Sequence, residues 1–168
     1  QLLISSELVY VYADPVAKKS QPIPVALRDL LQAYERGDAM VQLQLGTWRE
    51  LQALASPLRT EVFVREQGVP QELEWDLEDL SALHAVVIDD SGRAIATARL
   101  LKHEPGIARI GRMAVLSRHR SQGLGRRLLL TLMQAARDRG DHQVMLHAQI
   151  SAQDFYVKAG FQPRGEVF

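Results

Sequence analysis

The chain has 168 residues, of which 46% are hydrophobic and 24% are charged, and these values suit one globular domain with a small appendage and exclude a disordered chain. Lys and Arg together number 20, as do Asp and Glu, so no basic excess points to nucleic acid or an anionic membrane as a partner. The absence of Cys excludes a disulfide scaffold, a thiolate zinc site and a cysteine nucleophile. Because neither a signal peptide nor an apolar run of membrane-spanning length is visible, we expect a cytoplasmic protein.

Residues 1–38 differ from the rest and are predicted to form a separate N-terminal segment. A β-branched and aromatic run over 7–13 indicates a strand, and the two prolines in 20–24 favour an extended backbone. Apolar residues at helical spacing then predict a helix over 25–36, which ends at a linker, Gly37-Asp38. A single α/β domain is predicted to follow over residues 39–168.

The second part of the chain mixes strands and helices. Alternating or β-branched apolar runs predict strands at 40–45, 83–88, 94–101, 107–116, 144–148 and 161–167. Helical spacing predicts helices over 48–66, 123–139 and 152–158. We expect the first helix to be interrupted near Pro57, where Ser56 would cap a second helix. The acidic stretch 72–79 is interpreted as a loop or an irregular helix.

A glycine-rich turn joins the strand that ends near Leu116 to the long helix. The first backbone N–H groups of a helix have no internal partner, and glycines at 123 and 125 would let a phosphate approach them closely. The turn lacks the Gly-Lys-Ser/Thr of a P-loop and, with Leu128 at the third position, the Gly-x-Gly-x-x-Gly of a dinucleotide site. It matches the coenzyme A turn Arg/Gln-x-x-Gly-x-Gly/Ala, although a helix start with water-facing arginines would carry the same residues.

Further short sequence motifs lie on both sides of the turn, at 61–67, 75–76, 84, 98–100, 110–112, 147–149 and 155–161. In this order and spacing, residues 40–168 resemble the GNAT superfamily of N-acetyltransferases and, within it, the ElaA-like branch. The resemblance implies an α/β GNAT fold, in which helices flank a twisted, mostly antiparallel sheet. That sheet is expected to splay open between residues 113–115 and 144–146 and so admit the pantetheine arm of acetyl-CoA.

The same resemblance implies the reaction, in which a small-molecule primary amine attacks acetyl-CoA directly and takes its acetyl group. Backbone N–H groups near residues 113–115 would stabilise the oxyanion. The residues expected to hold acetyl-CoA are Met113, Ala114, Val115, Arg118, Arg120, Ser121, Gln122, Gly123, Leu124, Gly125 and Arg126. No metal is expected, because the five histidines show no ligand spacing.

Tyr156 is the candidate for the acid that protonates the leaving thiolate, since the block around it resembles the family segment whose tyrosine points at the sulfur of coenzyme A. A buried tyrosine that packs a helix on the sheet is the alternative. The general base stays open among Glu66, His84 and His147, each of which would otherwise be a structural residue.

Charged residues next to these candidates suggest a polar network. Arg99 and Arg112 lie in predicted strands and need carboxylate partners, for which Glu66 or Asp76 would serve. The acidic stretch 72–79 would either attract a cationic acceptor or form a solvated loop.

Both ends of the chain look cut. The ElaA-like pattern continues beyond Phe168 with another hairpin strand, and residues 1–36 are similar to the tail of a hotdog-fold acyl-CoA thioesterase, which implies a fusion of the two enzymes. A coenzyme A-binding sensor without transferase activity and a phosphate-binding domain of unrelated fold remain as alternative functions. A homo-oligomer is compatible with the sequence.

Overall fold

The computed structural model describes residues 12–14, 19–24, 28, 31–32 and 41–165. The chain divides into two compact units, Gln1–Met40 and Val41–Phe168. In the first unit, β1 (Ala13–Asp14) pairs antiparallel with β2 (Lys19–Ser20), and residues 28, 31 and 32 are helical. Most of the strand predicted at 7–13 and of the helix predicted at 25–36 lies outside the described residues.

A five-stranded sheet forms the centre of the second unit, with its strands in the same order as in the chain. The strands are β3 (Gln42–Gly46), β4 (Leu83–Ile88), β5 (Ala94–Glu104), β6 (Ile107–Val115) and β7 (Gln143–Leu146). Neighbours from β3 to β6 are antiparallel, whereas β6 and β7 are parallel. The prediction of a mostly antiparallel α/β sheet is confirmed.

Helical segments connect the strands. They are α1 (Trp48–Arg59), a π-helix (Thr60–Glu66), α2 (Gln71–Glu74), three 3₁₀ turns (Leu77–Leu80, Ser117–His119 and Ile150–Ala152), α3 (Leu124–Asp138) and α4 (Gln153–Lys158). The core lies where α1 and α3 pack against β4 and β5. On α3, Leu128, Leu129 and Leu132 are fully buried, and each such side chain stabilises the fold by about 1.5–3 kcal/mol.

The first long helix differs from the prediction, because Ser56 does not cap a second helix. The helix begins after Thr47, whose backbone N–H donates to the Glu50 carboxylate at 2.7 Å, and it continues through Pro57 into the π-helix. A proline removes one helical donor, but Leu58 and Val62 on either side of the change in helix type are buried in the core. Their packing holds the segment helical where local propensity alone would break it.

The strand predicted at 161–167 is also wrong over its described part, since residues 161–164 have no regular structure and Gly165 lies in a bend. A strand needs a neighbouring strand to accept and donate its backbone hydrogen bonds. Among the described residues, no strand pairs with this segment.

Candidate functional site

The glycine turn leads from the 3₁₀ turn at Ser117–His119 into α3. Ser121 and Gly123 have positive φ values of 64° and 78°, which curve the backbone so that Gly123 starts the helix. A Cβ built on Gly123 would meet no atom of the other described residues within 4 Å, so the space beside it is open. None of the described side chains caps α3, and its first turn carries no acidic residue. The N–H groups of that turn therefore face an open, positive helix end that suits a phosphate.

The arginines of the turn differ in what they contact. Arg120 donates its Nε to the carbonyl oxygen of Val115 at 3.1 Å and its Nη2 to the Glu66 carboxylate at 2.7 Å. It therefore braces the turn between β6 and the π-helix. Arg118 and Arg126 are exposed and add positive charge around the end of α3. Leu124 is 6% exposed, so only its backbone can face a ligand.

The sheet opens between β6 and β7, as the resemblance implied, and residues 113–115 lie along the opening as expected, but residues 144–146 do not. The two strands pair from Ile107 with Gln143 to Ile110 with Leu146. Residues 144–146, predicted to border the opening, are thus still paired with β6. The opening starts at Gly111 and His147, beyond which β6 has no partner on that side in the described part of the chain.

A β-bulge lies in β6 at the start of this opening. Thr97 on β5 is opposite Ala114 and Arg99 is opposite Gly111, so one residue of β5 faces two of β6, Arg112 and Met113. Arg112 has a φ of 49°, an uncommon value for a residue other than glycine. Bulges interrupt the alternation of side chains, and here both Arg112 and Met113 line the same cavity.

The cavity at the opening has a volume of about 310 Å³. It is lined by Phe63, Gln67, Ile110, Gly111, Arg112, Met113, Leu146, His147, Ala148, Gln149, Ala152 and Tyr156. The Tyr156 hydroxyl lies 3.7 Å from the Sδ of Met113. Burial raises the pKa of Tyr156 above its usual value, and this phenol therefore keeps its proton at neutral pH.

The three base candidates separate in the structure. His147 lines the cavity beside Tyr156, whereas Glu66 does not and is ion-paired with Arg120. His84 is 1% exposed, and its Nε2 lies 2.9 Å from the carbonyl oxygen of Asp79. Burial lowers the pKa of His84, so the ring is held neutral inside the fold and away from the cavity lining.

A buried ion-pair network lies behind one wall of the cavity. The interpretation of residues 72–79 as a solvated loop is wrong for Glu74 and Asp79, which are buried in this network. Arg59, which is 1% exposed, donates to the Asp79 carboxylate at 2.8 and 3.0 Å and also pairs with Glu74. Arg99 donates to Asp76 at 2.7 and 2.9 Å and to Asp79 at 2.7 Å. Glu74 and Asp79 are buried because the chain turns these carboxylates inward to neutralise the two guanidinium groups.

Asp76 links this network to the cavity. Arg112 donates its Nη2 to the carbonyl oxygen of Leu73 at 2.9 Å and to Asp76 at 3.1 Å. Of the two alternatives that the sequence left open, Asp76 is therefore the shared partner of Arg99 and Arg112, and Glu66 is not. Hydrogen bonds from Arg99 are the main cause that lowers the pKa of Asp76.

The sequence analysis missed Arg59, although its position carried a signal. Arg59 follows Ala55 by four residues, and the buried Leu51 and Ala55 mark the apolar face of α1. An arginine on such a face needs carboxylate partners. The acidic stretch supplied them, but nothing local indicated which carboxylates would turn inward.

Comparison with known proteins agrees with this architecture. The Acetyltransferase (GNAT) family matches residues 47–161. YjcF of Bacillus subtilis, named as an uncharacterized N-acetyltransferase, is 38% identical over 109 residues, which are 65% of this chain and 76% of YjcF. None of the helices in the described part of the chain is long and apolar enough to cross a membrane.

Two crystal structures are also similar. An acyl-CoA N-acyltransferase of Pseudomonas aeruginosa has a TM-score of 0.69 and 34% identity, covering 77% of this chain and 93% of that one. ElaA of Escherichia coli has a TM-score of 0.69 and 29% identity, with coverages of 77% and 92%. The chain therefore belongs to the GNAT acetyltransferase family, in its ElaA-like branch, and is an N-acyltransferase by family.

Proposed function

We propose that the protein is an acetyl-CoA-dependent N-acetyltransferase that acts on a small-molecule primary amine. The observation that carries the proposal is the position of the opening between β6 and β7. It starts at a cavity that contains the Tyr156 hydroxyl, and β6 runs from there to the glycine turn at the start of α3. A long thioester that ends in a pyrophosphate-bearing nucleotide would occupy both sites, with its thioester at the cavity and its pyrophosphate at the glycine turn.

The residues present fit acetyl-CoA. The pyrophosphate would accept hydrogen bonds from the first-turn N–H groups of α3, beside the open space at Gly123 and near the exposed Arg118 and Arg126. The pantetheine arm would lie along the part of β6 at Met113–Val115 that has no strand partner on the β7 side. Arg120 would position the turn and not bind the phosphate, since Val115 and Glu66 already engage it.

The cavity residues would then assist a direct transfer. The acceptor nitrogen forms a bond to the thioester carbonyl carbon, and the bond from that carbon to sulfur breaks. Backbone N–H groups of β6 would stabilise the negative charge on the carbonyl oxygen. Tyr156 would donate its proton to the departing sulfur and recover a proton from the amine, directly or through His147, so that an amide and a free thiol result.

Calorimetric titration with acetyl-CoA, followed by thiol release over a panel of primary amines, tests the proposal. We expect saturable binding and amine-dependent release of coenzyme A. Binding without release on any amine would favour a coenzyme A sensor. Failure to bind acetyl-CoA would contradict both functions.

A further inference from the structure

Arg112 has a backbone conformation that regular pairing of β-strands does not require. Its φ of 49° is in the left-handed region, a strained conformation for a residue other than glycine. The bulge that holds this conformation directs the side chain into the cavity next to Met113. Strained backbone of this kind persists where the surrounding structure holds it, often at a binding site.

The guanidinium of Arg112 is only partly used by the protein. Both of its hydrogen bonds to described residues, to Leu73 and Asp76, come from Nη2. Among the described residues, its buried Nε has no hydrogen-bond partner and its Nη1 donates to none. The side chain is 30% exposed and lines the cavity, and of its two unused nitrogens only Nε is buried, so a ligand in the cavity can approach Arg112 at Nη1.

The carboxylate that pairs with Arg112 through Nη2 leaves Nη1 without an acceptor among the described residues. Its nearest carboxylate, Asp76, is shared with Arg99, to which Asp76 makes two shorter hydrogen bonds. Burial is the main cause that lowers the pKa of Arg112, and the nearby charge of Arg99 lowers it further. An anion in the cavity would relieve both effects, because it would supply an acceptor and an opposite charge.

We propose that Arg112 binds a carboxylate of the acceptor, so that the substrate class is amino acids or similar molecules that carry a primary amine close to a carboxylate. This inference rests on the proposed function, since the amine would have to reach the thioester beside Tyr156. The chemistry favours a carboxylate over a phosphate, because the unused Nη1 donors match a single negative charge and Asp76 would repel a dianion. Phe63, Ile110 and Leu146 add apolar surface to the same cavity, and a charge pair is stronger where a bound ligand displaces water.

The kinetic test compares each common amino acid with its carboxamide, its decarboxylated amine and its aminophosphonate. We expect the wild-type protein to prefer the carboxylate by about 30-fold or more in kcat/KM, which is the usual cost of removing one partner of a shielded charge pair. Arg112→Met should abolish that preference. A preference for the aminophosphonate would contradict the choice of a carboxylate, and equal rates on acids and amides would contradict the subsite.

Arg109→Met is the matched control. Arg109 lies on the same strand, pairs with Glu78 of the same acidic segment and is 25% exposed, but it does not line the cavity. It should keep the preference for the carboxylate. Loss of the preference in both variants would assign the effect to the network and overturn the role of Arg112.

A binding measurement separates this inference from the proposed function. N-acetyl amino acids and their amides are titrated calorimetrically into the full chain in the presence of coenzyme A. Binding of the acids alone, lost in Arg112→Met and kept in Arg109→Met, would support the subsite even if no amine is acetylated. Absence of binding by every N-acetyl amino acid would overturn it, whatever the turnover.

Discussion

At the scale of single residues, the half-buried Tyr156 and the buried His84 are two groups whose pKa values are shifted in opposite directions by their environments. Tyr156 keeps its proton because burial raises its pKa, whereas His84 loses its proton because burial lowers its pKa. Tyr156 lines the cavity, and His84 lies in the interior against Asp79. Tyr156 is therefore a candidate for the reaction, whereas His84 affects the stability of the fold.

Tyr156→Phe should lower kcat by about 10- to 1000-fold, as expected for the loss of a general acid. Acetyl-CoA affinity should change little, because the ring and its edge contacts with Phe155 and Phe161 remain. Steady-state kinetics and calorimetry measure the two effects. An unchanged kcat would make Tyr156 a packing residue only.

His84→Gln should remove part of the dependence of folding stability on pH. Because the folded pKa of His84 lies below the unfolded value, its neutral form contributes stability that is complete above about pH 6.5 and is lost as the pH falls through the folded pKa. Wild-type protein should therefore have a lower urea midpoint at pH 5.5 than at pH 7.5, and the difference should shrink in His84→Gln. His103→Gln, at a position 33% exposed, should retain the wild-type difference.

At the scale of elements, the junction between β6 and α3 depends on backbone conformation more than on side chains. Gly123 and Ser121 supply the positive φ values, and Arg120 ties the turn to the π-helix through Glu66. The opening between β6 and β7 then depends on where parallel pairing stops. The positive-φ turn, the Glu66–Arg120 ion pair and the sheet opening involve different residues, so substitutions can test each of them separately.

Gly123→Val should abolish acetyl-CoA binding, because its side chain would enter the open space that we assign to the pyrophosphate. Gly140→Val is the matched control, since Gly140 also has a positive φ, 93°, and an open Cβ position, but lies after the end of α3. Both variants should lose similar stability from backbone strain. Calorimetry should detect binding only in Gly140→Val, and retained binding in Gly123→Val would move the cofactor site elsewhere.

Glu66→Gln distinguishes two roles for Glu66, which would either hold Arg120 and the glycine turn in place or act as the general base. The Glu66–Arg120 pair is well exposed, with side chains 39% and 45% accessible, so its loss should weaken acetyl-CoA affinity by only about 2- to 5-fold. The pH dependence of kcat should not change. A large fall in kcat, with loss of the limb at acidic pH, would instead show that Glu66 removes the proton.

At the scale of the whole molecule, the buried arginine network connects α1, the acidic segment and β5. Burial acts to raise the pKa of Asp79, but Arg59 and Arg99 outweigh it and hold the pKa below its usual value. Asp79 therefore contributes stability that is present above about pH 3.9 and is lost as the pH falls through its folded pKa. This acid window lies below that of His84.

Arg59→Met should destabilise the protein by about 3–5 kcal/mol, because it leaves Glu74 and Asp79 buried without their shared partner. Arg93→Met should cost less than about 1 kcal/mol, since the Arg93–Glu61 pair is roughly half exposed on both sides. Chemical unfolding of the two variants measures the contrast. Equal effects would mean that burial does not decide the strength of these pairs.

Much of the fold followed from local patterns. The strand at Leu83–Ile88 was predicted with its bounds, and α3 was predicted to within one residue at each end, because alternation and helical spacing are written in adjacent residues. The need of Arg99 and Arg112 for a carboxylate was also predicted, but the sequence left Glu66 and Asp76 as alternatives. The missing strand at 161–164 and the helix through Pro57 were not, since pairing and packing partners decided them.

The sequence by itself determined the glycine turn, the candidate acid at Tyr156 and the family to which these residues belong, since each is a short pattern with its own chemistry. Only the tertiary structure decided that Glu66 braces Arg120, that His84 is buried and that Arg112 faces the cavity from a bulge. These outcomes depend on which distant segments meet. Desolvation and charge pairing are set by neighbours in space, and no local run of residues specifies them.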